Sequence, residues 1–88
     1  MNTEEQLLLR GGILKWLHGK YPNGKGYRSI LLAMQMAGWD DVTGKDIQEA
    51  LLYLERKNLI QRDTTTPEVR LYLISDDGRA WLDNRNLI

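Results

Sequence analysis

The residues in this sequence best equipped for chemistry are its cations. From Arg10 to Arg28 every charged residue is basic: Arg10, Lys15, Lys20, Lys25 and Arg28. Lys20, Lys25 and Arg28 lie in one stretch with Tyr21, Tyr27 and the glycines Gly19, Gly24 and Gly26. Cations and rings on a pliable backbone suit an element that contacts the phosphates of nucleic acid, and Ser29 adds a hydroxyl donor beside them. The competing reading is a solvated turn.

Other chemistries are poorly represented. His18 is the only histidine, and no obvious acid–base partner stands near it in sequence. Asp40-Asp41 and Asp76-Asp77 are adjacent pairs, which suit loops and helix starts better than general acid–base work. There is no cysteine, and no metal-ligand spacing, P-loop or dinucleotide motif is present. The expectation is a protein that is not an enzyme and carries no cofactor or metal.

With 12 basic and 12 acidic residues the net charge is zero, which argues against gripping nucleic acid by bulk charge alone. Asp40 to Asp63 carries six acids and four bases. The 88 residues make one domain, 1–88, near the lower end of what folds alone. An apolar fraction of 42% and a charged fraction of 27% are ordinary for a globular chain. The run Ile30–Ala33 is too short to span a bilayer, and the acidic start lacks a signal-peptide pattern. A cytoplasmic protein is expected.

These residues need elements to hold them. The spacing predicts a first helix over residues 4–18, capped by Thr3 with Gln6 three residues on. Its inner face is expected to carry Leu7, Leu14 and Leu17, flanked by Leu8 and Ile13. Gly11-Gly12 inside it implies close packing or a kink. Pro22-Asn23-Gly24 marks a turn. A second helix is expected over 27–36, burying Ile30, Leu31, Met34 and at its margin Ala37, with Gly38 ending it. Thr43 and Asp46 form a capping-box pair for a third helix that buries Ile47, Ala50, Leu51 and Leu54, and Asn58 suits the left-handed position after it. Leu59–Arg62 and Val69–Ile74 read as strands around a turn. Ser75 caps a last helix to about Asn84, burying Ala80, Trp81 and Leu82.

The run from Val42 through Thr43, Asp46, Ile47, Leu51, Leu54 and Glu55 to Asn58-Leu59-Ile60 resembles the recognition helix and first wing strand of winged helix-turn-helix proteins. Leu71-Tyr72-Leu73-Ile74-Ser75-Asp76-Asp77-Gly78-Arg79 resembles their second wing strand and the entry to a C-terminal helix. Asn58 stands where that family usually has glycine, and the Gly38–Thr43 connection is longer than its usual tight turn. The resemblance implies an α+β, mostly helical fold: a three-helix core, a two-stranded hairpin wing and a short C-terminal helix. It implies a DNA-binding transcriptional regulator, or a phage or prophage accessory protein, acting on double-stranded DNA.

On the third helix the outward positions are Lys45, Gln48, Glu49, Leu52 and Arg56. The family's reading positions fall on Gly44, Lys45, Gln48, Glu49 and Leu52. Gln48 suits adenine, Lys45 guanine or phosphate, Glu49 cytosine and Leu52 a thymine methyl. Gly44 opens the helix's amides to a phosphate, and Arg70 on the wing suits a minor groove. Glu49 and Leu52 equally fit a protein-contact face, so a winged-helix interaction module that binds no nucleic acid stays open beside the DNA reading. Trp16, Trp39 and Trp81 read as core or dimer-interface residues. The first and last helices, with Trp81, Leu82, Leu87 and Ile88, offer a homodimer seam that would set two reading helices on two half-sites.

Overall fold

The computed structural model describes residues 1–65 and 68–85. Helix α1 (Thr3–Lys20) leads through a short strand β1 (Lys25–Gly26) into α2 (Tyr27–Met36) and α3 (Gly44–Arg56). Strands β2 (Ile60–Asp63) and β3 (Leu71–Ile74) follow, then α4 (Asp76–Arg85). The sheet is antiparallel in the order β1-β3-β2, with β3 in the middle.

The sheet therefore has one strand more than the expected hairpin. Lys25 lies opposite Tyr72 and Gly26 opposite Leu71, so the basic segment is tied at one point to the base of the wing. On the other edge Ile60 faces Ile74 and Asp63 faces Leu71. Tyr72 and Ile74 turn inward against α1, which answers the need of a small sheet for a helical backing.

Helix α1 begins one residue earlier than expected. Asn2 is its cap: Asn2 Oδ1 accepts from the Glu5 amide at 2.8 Å, and Glu5 Oε1 accepts from the Asn2 amide at 3.3 Å. This frame puts a carboxylate, rather than Gln6, at the third helical position, where the helix dipole favours it. The buried face is also different. Leu9, Ile13 and Leu17, spaced by four, are buried with Leu14, whereas Leu7 and Leu8 are exposed. In a run of three leucines the choice of inner residue is made by the i, i+4, i+8 line that the other elements cover. At Gly12 a β-carbon would meet Met34 Sδ at 3.6 Å and Trp39 Nε1 at 4.0 Å, ordinary contact distances, so α2 and the turn after it lie close over this spot.

Helices α2 and α3 follow their sequence signals closely. Ile30 and Met34 are buried and Leu31 packs beside them, but Ala37 lies past the helix end and is exposed. Gly38 takes φ +107 and lets the chain leave α2. Thr43 and Asp46 form the reciprocal capping box, Ile47, Ala50, Leu51 and Leu54 are buried, and Asn58 sits at φ 60. At α4, Ser75 Oγ donates to the Asn58 carbonyl at 2.6 Å and accepts from the Gly78 amide at 3.0 Å. Ala80, expected inside, is exposed, and Gly78 is buried instead. A β-carbon there would collide with the Leu59 carbonyl and lie 2.8 Å from Ile74 Cγ1. The last helix thus docks backbone to backbone, a contact that hydropathy does not register. Leu87 and Ile88 lie outside the described residues.

Candidate nucleic-acid interface

Helix α3 is held on three sides. Its buried stripe faces the core. On the β2 flank Glu55 Oε2 accepts from Arg62 Nε at 3.0 Å, which engages one of the wing's two flanking arginines. On the α1 flank the Arg10 guanidinium lies 3.7 Å from the centroid of the Tyr53 ring, and Lys57 Nζ approaches the same ring at 5.7 Å. The face left to solvent carries Lys45, Gln48, Leu52 and Arg56 at spacings of three, four and four, all exposed. Glu49 is exposed at its edge and lines a small hollow toward Met1, Gln6 and Arg10.

The start of α3 is built by two contacts. Asp46 Oδ2 accepts from the Thr43 amide at 3.0 Å, and Thr43 Oγ1 accepts from the Asp46 amide at 3.2 Å. The backbone hydrogen bond from Thr43 is the chief cause holding the Asp46 carboxyl below its ordinary value, so it stays charged at the positive end of the helix dipole. The second contact joins two helices. Tyr27, first residue of α2, places its hydroxyl where a β-carbon of Gly44 would stand. The missing side chain at Gly44 makes room for the tyrosine ring, which packs the first turn of α2 against that of α3. Arg28 is exposed in the first turn of α2, which contains no acid.

The basic stretch divides in two. Lys20, Lys25 and Ser29 line a groove of about 510 Å³ with Trp16, Leu32 and Met36 on the outer side of α2. Lys20 Nζ lies 5.5 Å from the Trp16 ring. Arg28 is not among the lining residues. Tyr21 and Tyr27, read from sequence as companions of the cations, are both engaged within the chain: Tyr27, half-buried, on Gly44, and Tyr21, although exposed, under the Arg79 guanidinium at 4.2 Å. Arg79 is also hydrogen-bonded to Asp76 at 2.6 Å, which raises its pKa. Arg70 is exposed just before β3.

Three features were missed in sequence. The Tyr27–Gly44 contact joins residues too far apart for any periodicity to reveal. The Arg10–Tyr53 stacking is likewise nonlocal. The third feature, exposed Leu32 and Met36, did leave a signal: two apolar residues four apart, off the buried stripe of α2. Trp16, Trp39 and Trp81 pack partly buried against the core. His18 is exposed. Among the described residues no cluster of three or more His, Cys, Asp or Glu side chains could hold a metal, and no helix is long and apolar enough to cross a membrane.

No protein-family model matches the sequence, and no curated protein matches it significantly. Among solved structures, a point mutant of S. aureus MepR bound to an oligodeoxyribonucleotide matches with a TM-score of 0.70 at 25% identity. The match covers 85% of this chain and 51% of that one, so the chain spans about half the length of MepR. With three helices, a sheet closed by a wing, and a helix returning behind it, the chain is a winged helix-turn-helix domain.

Proposed function

We propose that this domain is a DNA-binding regulator that reads duplex DNA with the exposed face of α3. The observation that carries this reading is the stripe Lys45, Gln48, Leu52 and Arg56, left to solvent while both flanks of α3 are engaged by Arg62 and Arg10. A matching fold was solved with an oligodeoxyribonucleotide bound, which supports the same ligand class. In this reading Lys45 and Gln48 contact base edges. Arg28 and Arg56 contact phosphate, while the space at Gly44 is taken by the Tyr27 hydroxyl beside the charged Asp46. Arg70 reaches toward the minor groove from the wing. Glu49, at the edge of the stripe, disfavours a phosphate close to it.

Selection from random duplexes tests the reading. Lys45→Ala and Arg28→Ala are each expected to weaken the selected complex by about tenfold, and each to lower the slope of log affinity against log salt by about one. Gln48→Ala is expected to relax the preference at one base pair. Affinity flat with salt, or indifferent to all three changes, would refute it.

One observation favours a second reading. Leu52 is 47% exposed at the centre of the stripe, which also suits a protein-contact face. In that case Leu52→Asp abolishes binding of a protein partner while duplex DNA fails to bind even at low salt.

A further inference from the structure

Three residues of the basic stretch have no part in the reading helix: Lys20, Lys25 and Ser29. They line the groove of about 510 Å³ with Trp16, Leu32 and Met36. The groove is polarised along its length. Lys25 and Ser29 lie at the start of α2, Leu32 about one turn on and Met36 at its last residue. Gly12 lies against Met34 and Trp39, near the end of α2, so Lys20, about two turns further along α1, lies toward the α2 start. No acid is among the described residues that line the groove. The first turn of α2 holds no acid either, and Gly26 gives it no side-chain cap, so the positive end of the helix dipole adds to the cationic end. At the other end Met36 is 80% exposed and Leu32 57%.

We propose that this groove docks a short acidic segment of a partner protein, its carboxylates on Lys20 and Lys25 and its apolar side chains over Trp16, Leu32 and Met36. Charge complementarity carries the first half of the proposal. Two cations, the Ser29 hydroxyl and an uncapped helix start, with no carboxylate among them, select an anion. The apolar end carries the second half. Exposed apolar side chains rimmed by polar ones mark contact sites, and here they discriminate against DNA. A phosphate strand would satisfy the lysines but leave Leu32 and Met36 against a hydrated backbone. Arg28, which the DNA reading uses, does not line the groove, so the two sets of cations are separable. The openness of the groove decides between a protein segment and a free small molecule. Pockets for small ligands bury roughly 70–90% of the ligand surface, and walls as exposed as Leu32 and Met36 cannot enclose one. A segment carried on a folded partner is covered from its other side, so an open groove suffices. Leu32 and Met36, four residues apart, rise about 6 Å along the axis of α2. That matches apolar anchors one turn apart in a helix or two residues apart in a strand.

Selection of random dodecapeptides on the full chain tests the proposal. Enriched peptides are expected to pair Asp or Glu with two apolar residues from Leu, Ile, Met and Phe. The most enriched peptide, synthesised with a fluorophore, is then titrated by anisotropy. Met36→Asp and Lys20→Glu are each expected to weaken it by about tenfold or more. Leu52→Asp, on the reading stripe, is expected to leave it within about twofold of the wild type. A peptide with its acids changed to Lys is expected to prefer the Lys20→Glu variant to the wild type. Met36 and Lys20 are exposed and so free of the core, and circular-dichroism melts verify the fold of each variant. No enrichment, enrichment without acids, or affinity indifferent to Met36→Asp would overturn the proposal. So would duplex DNA that displaces the peptide and loses as much affinity as the peptide does on Met36→Asp, which assigns the groove to the DNA surface. Displacement by dodecanoate below the peptide's own dissociation constant would overturn it too, in favour of a free amphiphile. The peptide titration contains no DNA, so its outcome stands apart from that of the reading helix.

Discussion

Asp46 shows how one carboxylate serves both stability and the site. Its carboxylate accepts the Thr43 amide and its own amide donates to the Thr43 hydroxyl, closing the first turn of α3. The charged form is favoured first by that backbone hydrogen bond; desolvation, next in size, opposes it, and the Thr43 side chain, the N-terminal amine and Lys45 add to the lowering. A carboxyl whose folded pKa lies below its unfolded one stabilises the fold above the unfolded value, here 3.8. That contribution is lost as pH falls through the folded value. Urea denaturation at a series of pH values below about 5 is therefore expected to show stability falling with acid. The slope should be shallower in Asp46→Asn, which keeps the shape and a weaker acceptor. Asp63, held low by hydrogen bonds from the Thr65 hydroxyl and amide, titrates in the same window. It remains in the variant, so some slope persists. An unchanged slope would remove Asp46 from the account. This residue was legible in sequence because capping is local: a threonine and an acid three apart before an apolar run suffice. The same rule misplaced the start of α1, where Asn2-Thr3 and Glu5-Gln6 offer two overlapping frames and only the choice of carboxylate over amide separates them.

At the scale of elements, the contact that sets α2 against α3 is the Tyr27 hydroxyl lying over Gly44. Gly44→Ala places a methyl into that hydroxyl, so the ring or the helix start must shift. Overpacking of this kind costs about 1–3 kcal/mol. Tyr27→Phe removes the obstructing oxygen and leaves the ring carbon Cζ, 3.3 Å from the added β-carbon. The double variant is then expected to recover most of the loss, a coupling that a double-mutant cycle in urea measures directly. Additive losses would show that the two residues do not bear on each other. Such contacts explain which elements sequence could and could not reveal. Helix α3 was legible because its cap, its apolar stripe at 47, 50, 51 and 54 and its left-handed Asn58 lie within one short stretch. Strand β1 was not, because two residues acquire strand geometry only by pairing with Tyr72 and Leu71 across the chain. The seat of α4 was misread at Ala80 because burial there is made by the absent side chain of Gly78 against the Leu59 backbone. The exposed stripe of the candidate site was legible as helical periodicity. The partition of the basic stretch was not, since Lys20, Lys25 and Ser29 meet Leu32 and Met36 only once α1, β1 and α2 are folded together.

For the whole molecule, zero net charge is the result of segregation rather than of an even surface. The α3 stripe carries Lys45 and Arg56, Lys20 and Lys25 line a groove beside α2, and Asp40, Asp41 and Asp46 gather with Glu5 around the segment that follows it. The gain from counterion release scales with the phosphates neutralised, so on one short basic stripe each cation weighs heavily. Arg56→Ala is therefore expected to weaken the selected duplex by about tenfold and to lower the slope of log affinity against log salt by about one. Met36→Asp adds a negative charge outside the stripe, and in electrophoretic titrations it is expected to leave affinity within about twofold of the wild type. If it weakened the duplex as much as Arg56→Ala does, the exposed side of α2 would belong to the DNA-contacting surface itself.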